Sequence, residues 1–359
     1  MSGCKVCFSR NEDTALRPSR SAPGEDTLIT TTPASLQAID CIFCGADAAS
    51  DVVVRENGFV GRQCGSCGLI FISPRPSLGD IVNLYGHDEA HVPAMSHLSA
   101  NYSKRLYARH SLRLLRKHKV SGDLLEVGAG AGYFLDEARK LGFNPFAIEF
   151  NGTQAHHIRG ALGIPCVEAS LSSKPFPVQS FDVVYHCDVI SHFYDPVAEF
   201  KASHEALRDD GLLVFETGNF GDVDRRHLRA IRCFQYPDHL FFFSTRNISQ
   251  LLASTGFELL AIHRYSIGPE LWTQRVRTRV RKFIRRFSGD TTPAPGGPAT
   301  TRVRPDARAG VSLGRRIASM LKAVDQFAGY LVRYRLGALL PANGRPQSMI
   351  VVARKIPVA

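Results

Sequence analysis

The 359-residue chain has no long hydrophobic run. Nothing in it approaches the roughly 20 consecutive apolar residues that a bilayer-spanning helix needs, which excludes a bundle of membrane helices. An apolar signal core is missing as well. Ser2 to Pro33 is polar and interrupted by Asp, Glu, Arg and Pro, so a cytoplasmic protein is expected. There is no internal repeat, which sets aside solenoids and propellers. Acidic residues are scarce in one region: residues 271–340 hold only Asp290, Asp306 and Asp325 against fifteen Lys or Arg, a net of +12 in a chain whose total is +11. The rest is close to neutral. The high pI therefore reflects one basic insert and does not mark the whole chain as a nucleic-acid binder.

The chain does have ample apolar content, 44% of its residues, enough for a packed core. It has nine cysteines, which in a cytoplasmic setting point to metal or reduced thiols rather than disulfides. Cys41-x-x-Cys44 and Cys64-x-x-Cys67 lie 19 residues apart, within zinc-ribbon spacing. Gly45 and Gly68 follow each pair and permit tight knuckle turns. Four thiolates would close a tetrahedral Zn²⁺ site with no open position, so the metal would be structural. Cys4-x-x-Cys7 is read as a chance feature of a tail, with a third half-knuckle or a competing ligand pair as alternatives. Cys166, Cys187 and Cys233 are isolated.

Past residue 120, strand and helix signals alternate, which indicates a parallel sheet with helices on both faces. The expected strands are 124–127, 145–149, 165–167, 181–186, 212–216 and 258–263, with a last one at 349–352 beyond the basic insert. The expected helices are 133–141, 152–162, 196–207 and 245–254. The stretch Leu124-Leu-Glu-Val-Gly-Ala-Gly-Ala-Gly-Tyr-Phe-Leu135 runs an apolar strand into Gly128, Gly130 and Gly132 and then into a helix. Such a turn lets a ligand approach the backbone at a helix N-terminus. Its G-x-G-x-G spacing lacks the third glycine of the dinucleotide motif, where Tyr133 stands. This points away from NAD and toward S-adenosylmethionine (SAM). Glu149, at the end of the second strand, suits the ribose hydroxyls.

These residues, with Pro175-Phe-Pro-Val-Gln-Ser-Phe-Asp-Val-Val184 and Ala206-Leu-Arg-Asp-Asp-Gly-Leu-Leu-Val-Phe-Glu216, resemble class I SAM-dependent methyltransferases. The resemblance covers about 121–265 plus the terminal strand. It implies a cofactor pocket of Glu126, Gly128, Ala129, Gly130, Gly132, Glu149, Ser170, Leu171 and His186. Many relatives place an Asp after the third strand; here Ser170 or its neighbouring backbone stands in. With the ribbon and Phe71-Ile-Ser-Pro-Arg-Pro-Ser77, the chain looks like methyltransferases with an N-terminal Cys4 zinc domain, a group that includes sugar C-methyltransferases. It departs from those in lacking a full C-terminal domain.

The segment Tyr236-Pro-Asp-His-Leu-Phe-Phe-Phe-Ser244 is expected as a substrate-facing loop. The resembling sugar enzymes have a Tyr-x-acid-His pattern here. It implies His239 as base, Tyr236 as hydrogen-bonding assistant and Asp238 as orienter; the alternative is a structural His239 under an aromatic strip. His192, after the fourth strand, is the second candidate base, or a helix-start residue.

The expected organisation is a tail (1–38), a zinc ribbon (39–77), a helical connector (78–120), a doubly wound α/β Rossmann-like core (121–270), a basic amphipathic helical insert (271–345) and a final core strand (346–359). The expected function is SAM-dependent methyl transfer to a small or glycan-linked acceptor. An RNA methyltransferase and a non-catalytic SAM-binding protein are the alternatives. Against RNA, the ribbon carries only Arg55, Arg62 and Arg75 and no stacking motif. The insert, with apolar stripes at Trp272, Val276, Val280, Phe283, Ile284 and Phe287 and again from Leu313 to Leu331, could place 271–340 on the anionic inner face of a membrane. It could equally pack on the core.

Overall fold

A computed structural model describes residues 36–45, 50–86, 101–228, 234–273, 276, 279, 313–341 and 343–357. The Cys4–Cys7 pair, Cys233, nearly all of the tail and most of the basic insert, including the 291–301 linker, lie outside the described residues.

The elements run β1 (Leu36–Gln37), β2 (Ser50–Glu56), β3 (Phe59–Cys64), β4 (Ile70–Ile72), β5 (Arg75–Pro76), α1 (Leu78–Gly86), α2 (Asn101–Leu115), β6 (Gly122–Val127), α3 (Tyr133–Arg139), β7 (Phe143–Ile148), α4 (Gly152–Ala161), β8 (Cys166–Val167), β9 (Phe181–Cys187), α5 (Pro196–Ala206), β10 (Leu207–Gly218), β11 (Phe241–Phe242), α6 (Thr245–Ser254), β12 (Phe257–Ser266), α7 (Leu313–Leu331) and β13 (Gln347–Lys355). The main sheet has the order β12-β13-β10-β9-β6-β7-β8. β6 to β10 pair in parallel, while β13 is antiparallel to both β10 and β12. The final strand thus crosses the sequence gap left by the insert and slots between two core strands. Its run Met349–Ala353 is fully buried, as a strand covered on both faces should be.

Apolar side chains from α2, α3 and α4 fill one face of the sheet, and those from α5 and α6 the other. This is the doubly wound arrangement that the alternating pattern implies. Helix starts follow capping chemistry. Asp195 accepts the Ala198 N–H ahead of Pro196, and Ser244 with Asn247 forms a capping box.

The cysteine-bearing segment is not a separate body. Cys41, Cys64, Cys67 and Leu69–Ile72 share one core with Ile190, Leu213 and Phe215. The ribbon sheet has the order β11-β4-β3-β2, and its edge strand β11 comes from the core, 170 residues downstream of β4 in pairs such as Phe241 with Phe71. The 236–244 segment, expected as a loop, is therefore partly a strand. Its alternating aromatics fit a pleated edge, and β4 supplies a partner that the local sequence does not reveal.

Candidate active site

The glycine turn sits where β6 ends. Gly128 and Gly132 both hold φ of 70°, in the left-handed region that favours glycine. A Cβ at Gly128 would meet Val189 Cγ2 at 2.7 Å, and one at Gly132 would meet Leu162 Cδ1 at 2.8 Å. The turn is thus clamped between α4 and the segment that follows β9. Glu149 organises it from the next strand: its carboxylate accepts the Gly130 N–H at 2.7 Å and the Asn151 N–H at 2.9 Å. Burial pushes its pKa above the usual carboxylate range. Glu126 lies beneath, 5% exposed, with Oε2 unpartnered among the described residues. Burial and then the neighbouring Glu149 push it well up. A buried acid with an orphaned oxygen beside a glycine cradle suits a cationic ligand end, and Glu149 retains lone pairs for hydroxyls. These residues fit SAM, which carries an ammonium group, a sulfonium and a ribose.

Two expected contributors lie differently. The Ser170 hydroxyl caps a turn, accepting the Ser173 N–H at 3.2 Å, and Leu171 is buried. His186 is 1% exposed, stacked on Phe215 at 4.9 Å and edged by Phe193 and Phe200. Burial drives its pKa down to about 3. The strand alternation that turns Tyr185 to the other face aims His186 into this aromatic core.

Residues 188–192 follow β9, with Val189 packed against Gly128 of the glycine turn. Asp188 holds a positive φ of 55°, and its N–H donates to the Glu216 carbonyl at 2.9 Å. Burial and then Glu216 raise its pKa to about 6. His192 follows. Its Nδ1 lies 2.9 Å from the Asp238 carbonyl oxygen and 3.3 Å from Asp238 Oδ1. Burial alone would lower the His192 pKa, but Asp238 outweighs it and the net shift is upward. His239 stands beside it, ring centroids 4.4 Å apart, with Nδ1 at 2.9 Å from the Phe234 carbonyl. The structure thus brings together His192, Asp238 and His239, which the sequence separates by more than 40 residues. It turns Tyr236 away from them. That side chain is 2% exposed, with its hydroxyl against Gly61 of β3.

Ribbon residues hold these segments in place. Glu56 accepts the N–H groups of Phe234, Gln235 (2.8 Å) and Tyr236 (3.3 Å), and Asn57 Nδ2 donates to the Tyr236 carbonyl at 2.8 Å. The Ile72 N–H donates to the Leu240 carbonyl at 3.0 Å. Arg75 donates to the Tyr194 carbonyl at 2.8 Å and lies 3.7 Å over the Tyr194 ring.

The Cys41, Cys44, Cys64 and Cys67 sulfurs lie within 4.8 Å of one another, and Cys41 and Cys67 are 3.5 Å apart. Four bonds of about 2.3 Å to a tetrahedral zinc would set neighbouring sulfurs about 3.8 Å apart. Both knuckle turns are present: the Gly45 N–H donates to the Cys41 carbonyl at 2.8 Å, and that of Gly68 to Cys64 at 2.9 Å. Burial pushes the Cys41 and Cys44 thiols up, Cys44 to about 11. At Cys64 the Cys67 and Ser66 N–H groups overcome burial and bring the pKa to about 7. Four clustered thiols are a donor set that fits a tetrahedral divalent cation.

Sequence reasoning missed Asp188, Glu56 and Arg333. Asp188 was findable as the first acid after the fourth core strand. Arg333, 10% exposed at its side chain, pairs with Glu216 at 2.7 Å at the carboxyl end of β10. The Ser348 and Tyr334 hydroxyls complete the cluster.

Residues 99–262 match the family described as "Methyltransferase domain". A stretch of 168 residues is 28% identical to the "Probable S-adenosylmethionine-dependent methyltransferase" of Mycobacterium tuberculosis, covering 46% of this chain and 60% of that protein. Another, of 154 residues, is 29% identical to the tRNA U34 carboxymethyltransferase of Alteromonas mediterranea, covering 39% of this chain and 46% of that protein. A solved S-adenosylmethionine-dependent methyltransferase from Mesorhizobium loti aligns over 69% of this chain and 98% of its own, at 15% identity and a TM-score of 0.41. The chain spans about 60% of the length of the mycobacterial relative. Residues 99–262 are thus similar to a methyltransferase domain, and the curated proteins they align with include ones named as S-adenosylmethionine-dependent methyltransferases.

Proposed function

We propose that the chain transfers the SAM methyl group to a hydroxyl or acidic C–H of a small or glycan-linked acceptor, with His192 and His239 as the proton-handling pair and a structural zinc in the ribbon. The observation that carries the reading is the convergence of His192, Asp238 and His239 on the segment after β9, whose Val189 packs against Gly128 of the glycine turn. Bound SAM would supply an electrophilic methyl carbon. Methyl transfer then needs alignment and a base rather than a protein nucleophile. Asp238 holds His192 Nδ1, so Nε2 is the nitrogen that would take the acceptor proton. The cysteine cluster leaves no open metal position, which keeps zinc out of the chemistry.

The test is a screen with methyl-labelled SAM against nucleotide sugars, lipid-linked glycans and RNA. Label transferred to a saccharide, and lost in His192→Ala, is the expected result. Label appearing only in RNA would replace this reading with the RNA one, which the tRNA-modifying relative keeps in view. Cofactor binding is checked separately. Glu149→Ala removes a charged acceptor, and SAM affinity by calorimetry should fall about 10- to 100-fold. An unchanged affinity would remove Glu149 from the pocket.

A further inference from the structure

We propose that α7 and the basic end of α2 form one docking surface for an anionic lipid bilayer. Two independent features meet there. Along α7, Met320, Leu321 and Val324 are about 60% exposed, and Phe327 and Leu331 continue the same helical face. Past the stripe, Tyr330 in the last turn of α7 and Arg333 and Tyr334 in the π-helical turn after it (Val332–Leu336) anchor the helix end to the core. A soluble helix would not ordinarily leave such a stripe to water. Charge decides what covers it. Arg109 and Arg113 on α2 and Arg116 and Lys117 in the turn just after it, with Leu141, line an open cleft of about 490 Å³. The two features are joined: Arg113 lies 2.8 Å from His110 Nδ1, and the His110 ring stacks on Tyr334 at 3.9 Å. An apolar stripe flanked by clustered cations fits headgroup phosphates above acyl chains. Ten more Lys or Arg between Arg275 and Arg308 add attraction of the same sign. No described helix is long and apolar enough to cross a membrane, so the contact is peripheral. Because Arg333 ties the end of this helix to Glu216, buried near the carboxyl end of β10, docking would also fix that end of the sheet relative to the bilayer.

The test is co-sedimentation of the full chain with phosphatidylglycerol vesicles and with phosphatidylcholine vesicles. Binding to the anionic vesicles alone, weakening with salt, is expected. Leu321→Glu with Val324→Glu should cut partitioning at least 10-fold, and Arg116→Glu with Lys117→Glu about 30-fold or more. Melting temperature and SAM affinity should stay as in the wild type, which separates docking from folding. Absence of sedimentation with anionic vesicles would overturn the proposal. So would a dimer in analytical ultracentrifugation that dissolves in Leu321→Glu while vesicle binding persists, because the stripe would then join two copies. Charge variants that lose single-stranded RNA binding but keep vesicle binding would also overturn it.

Discussion

Stripping the proposed zinc from the four-cysteine site, by a strong chelator or by Cys64→Ser, is expected to abolish methyl transfer while leaving SAM binding nearly intact. A structural zinc contributes roughly 10–16 kcal/mol of apparent binding energy to its ligand set. Losing about 5 kcal/mol of that from the folded state would lower the Tm by roughly 7 °C in a chain of this size. The catalytic consequence follows from strand pairing rather than from proximity to the metal. β4 runs from the second knuckle directly into its pairing with β11. Asn247 Nδ2 donates to the Cys67 carbonyl at 3.1 Å. Glu56 and Asn57, at the far end of the ribbon hairpin, hold residues 234–236. Releasing the knuckles loosens the frame around Asp238 and His239. Glu149 and the glycine turn are tied to β7 and α4 instead, so SAM affinity should change less than threefold. The measurements are zinc content, thermal melting, SAM calorimetry and labelled turnover on the same samples. Full turnover in zinc-free protein would refute the coupling; loss of SAM binding together with turnover would show general unfolding instead.

Much of the core could be read from local patterns. The G-x-G-x-G turn is a contiguous signal, since strand, turn and helix lie within twelve residues of chain. The cysteine pairs were legible for the same reason, because knuckle geometry is set by neighbours such as Gly45 and Gly68. Period and capping placed α4, α5 and α6 within two residues of their observed bounds. What stayed hidden depends on partners distant in sequence. β11 is only two residues long, too short for a strand signal, and exists because β4 offers it a ladder. Arg333 reads as one more cation in a basic stretch, yet it is buried against Glu216 and Glu270. Burial of such a pair is tolerable only when both ions find extra partners, and Ser348 and Tyr334 supply them. His186 shows the reverse problem. Its position at a strand end marked it as cofactor-facing, but strand alternation turned it into the aromatic core.

The second large effect concerns the proposed base. His192→Ala is expected to lower kcat about 100- to 10,000-fold, the usual contribution of a positioned general base, with little change in SAM affinity. The pH dependence tests its electrostatics. A base must be neutral to accept a proton, so activity should rise with pH and level off above the folded pKa of His192. Asp238 holds that pKa above the ordinary histidine value of 6.5, because a carboxylate 3.3 Å away favours the imidazolium. The rising limb should therefore lie above pH 6.5 in the wild type. In Asp238→Asn the charge is gone while the backbone carbonyl contact to Nδ1 can remain, and the limb should move to lower pH. The linked stability effect has the opposite sense. A raised histidine pKa stabilises the fold below the unfolded value, and that contribution is lost as pH rises through the folded one. The pH range that switches on the base thus gives up the His192–Asp238 attraction. If Asp238→Asn leaves the limb in place while His192→Ala removes activity, Asp238 orients the ring without tuning it. If His192→Ala retains full turnover and His239→Ala does not, the base is His239, and Asp238 acts through the loop that carries both residues.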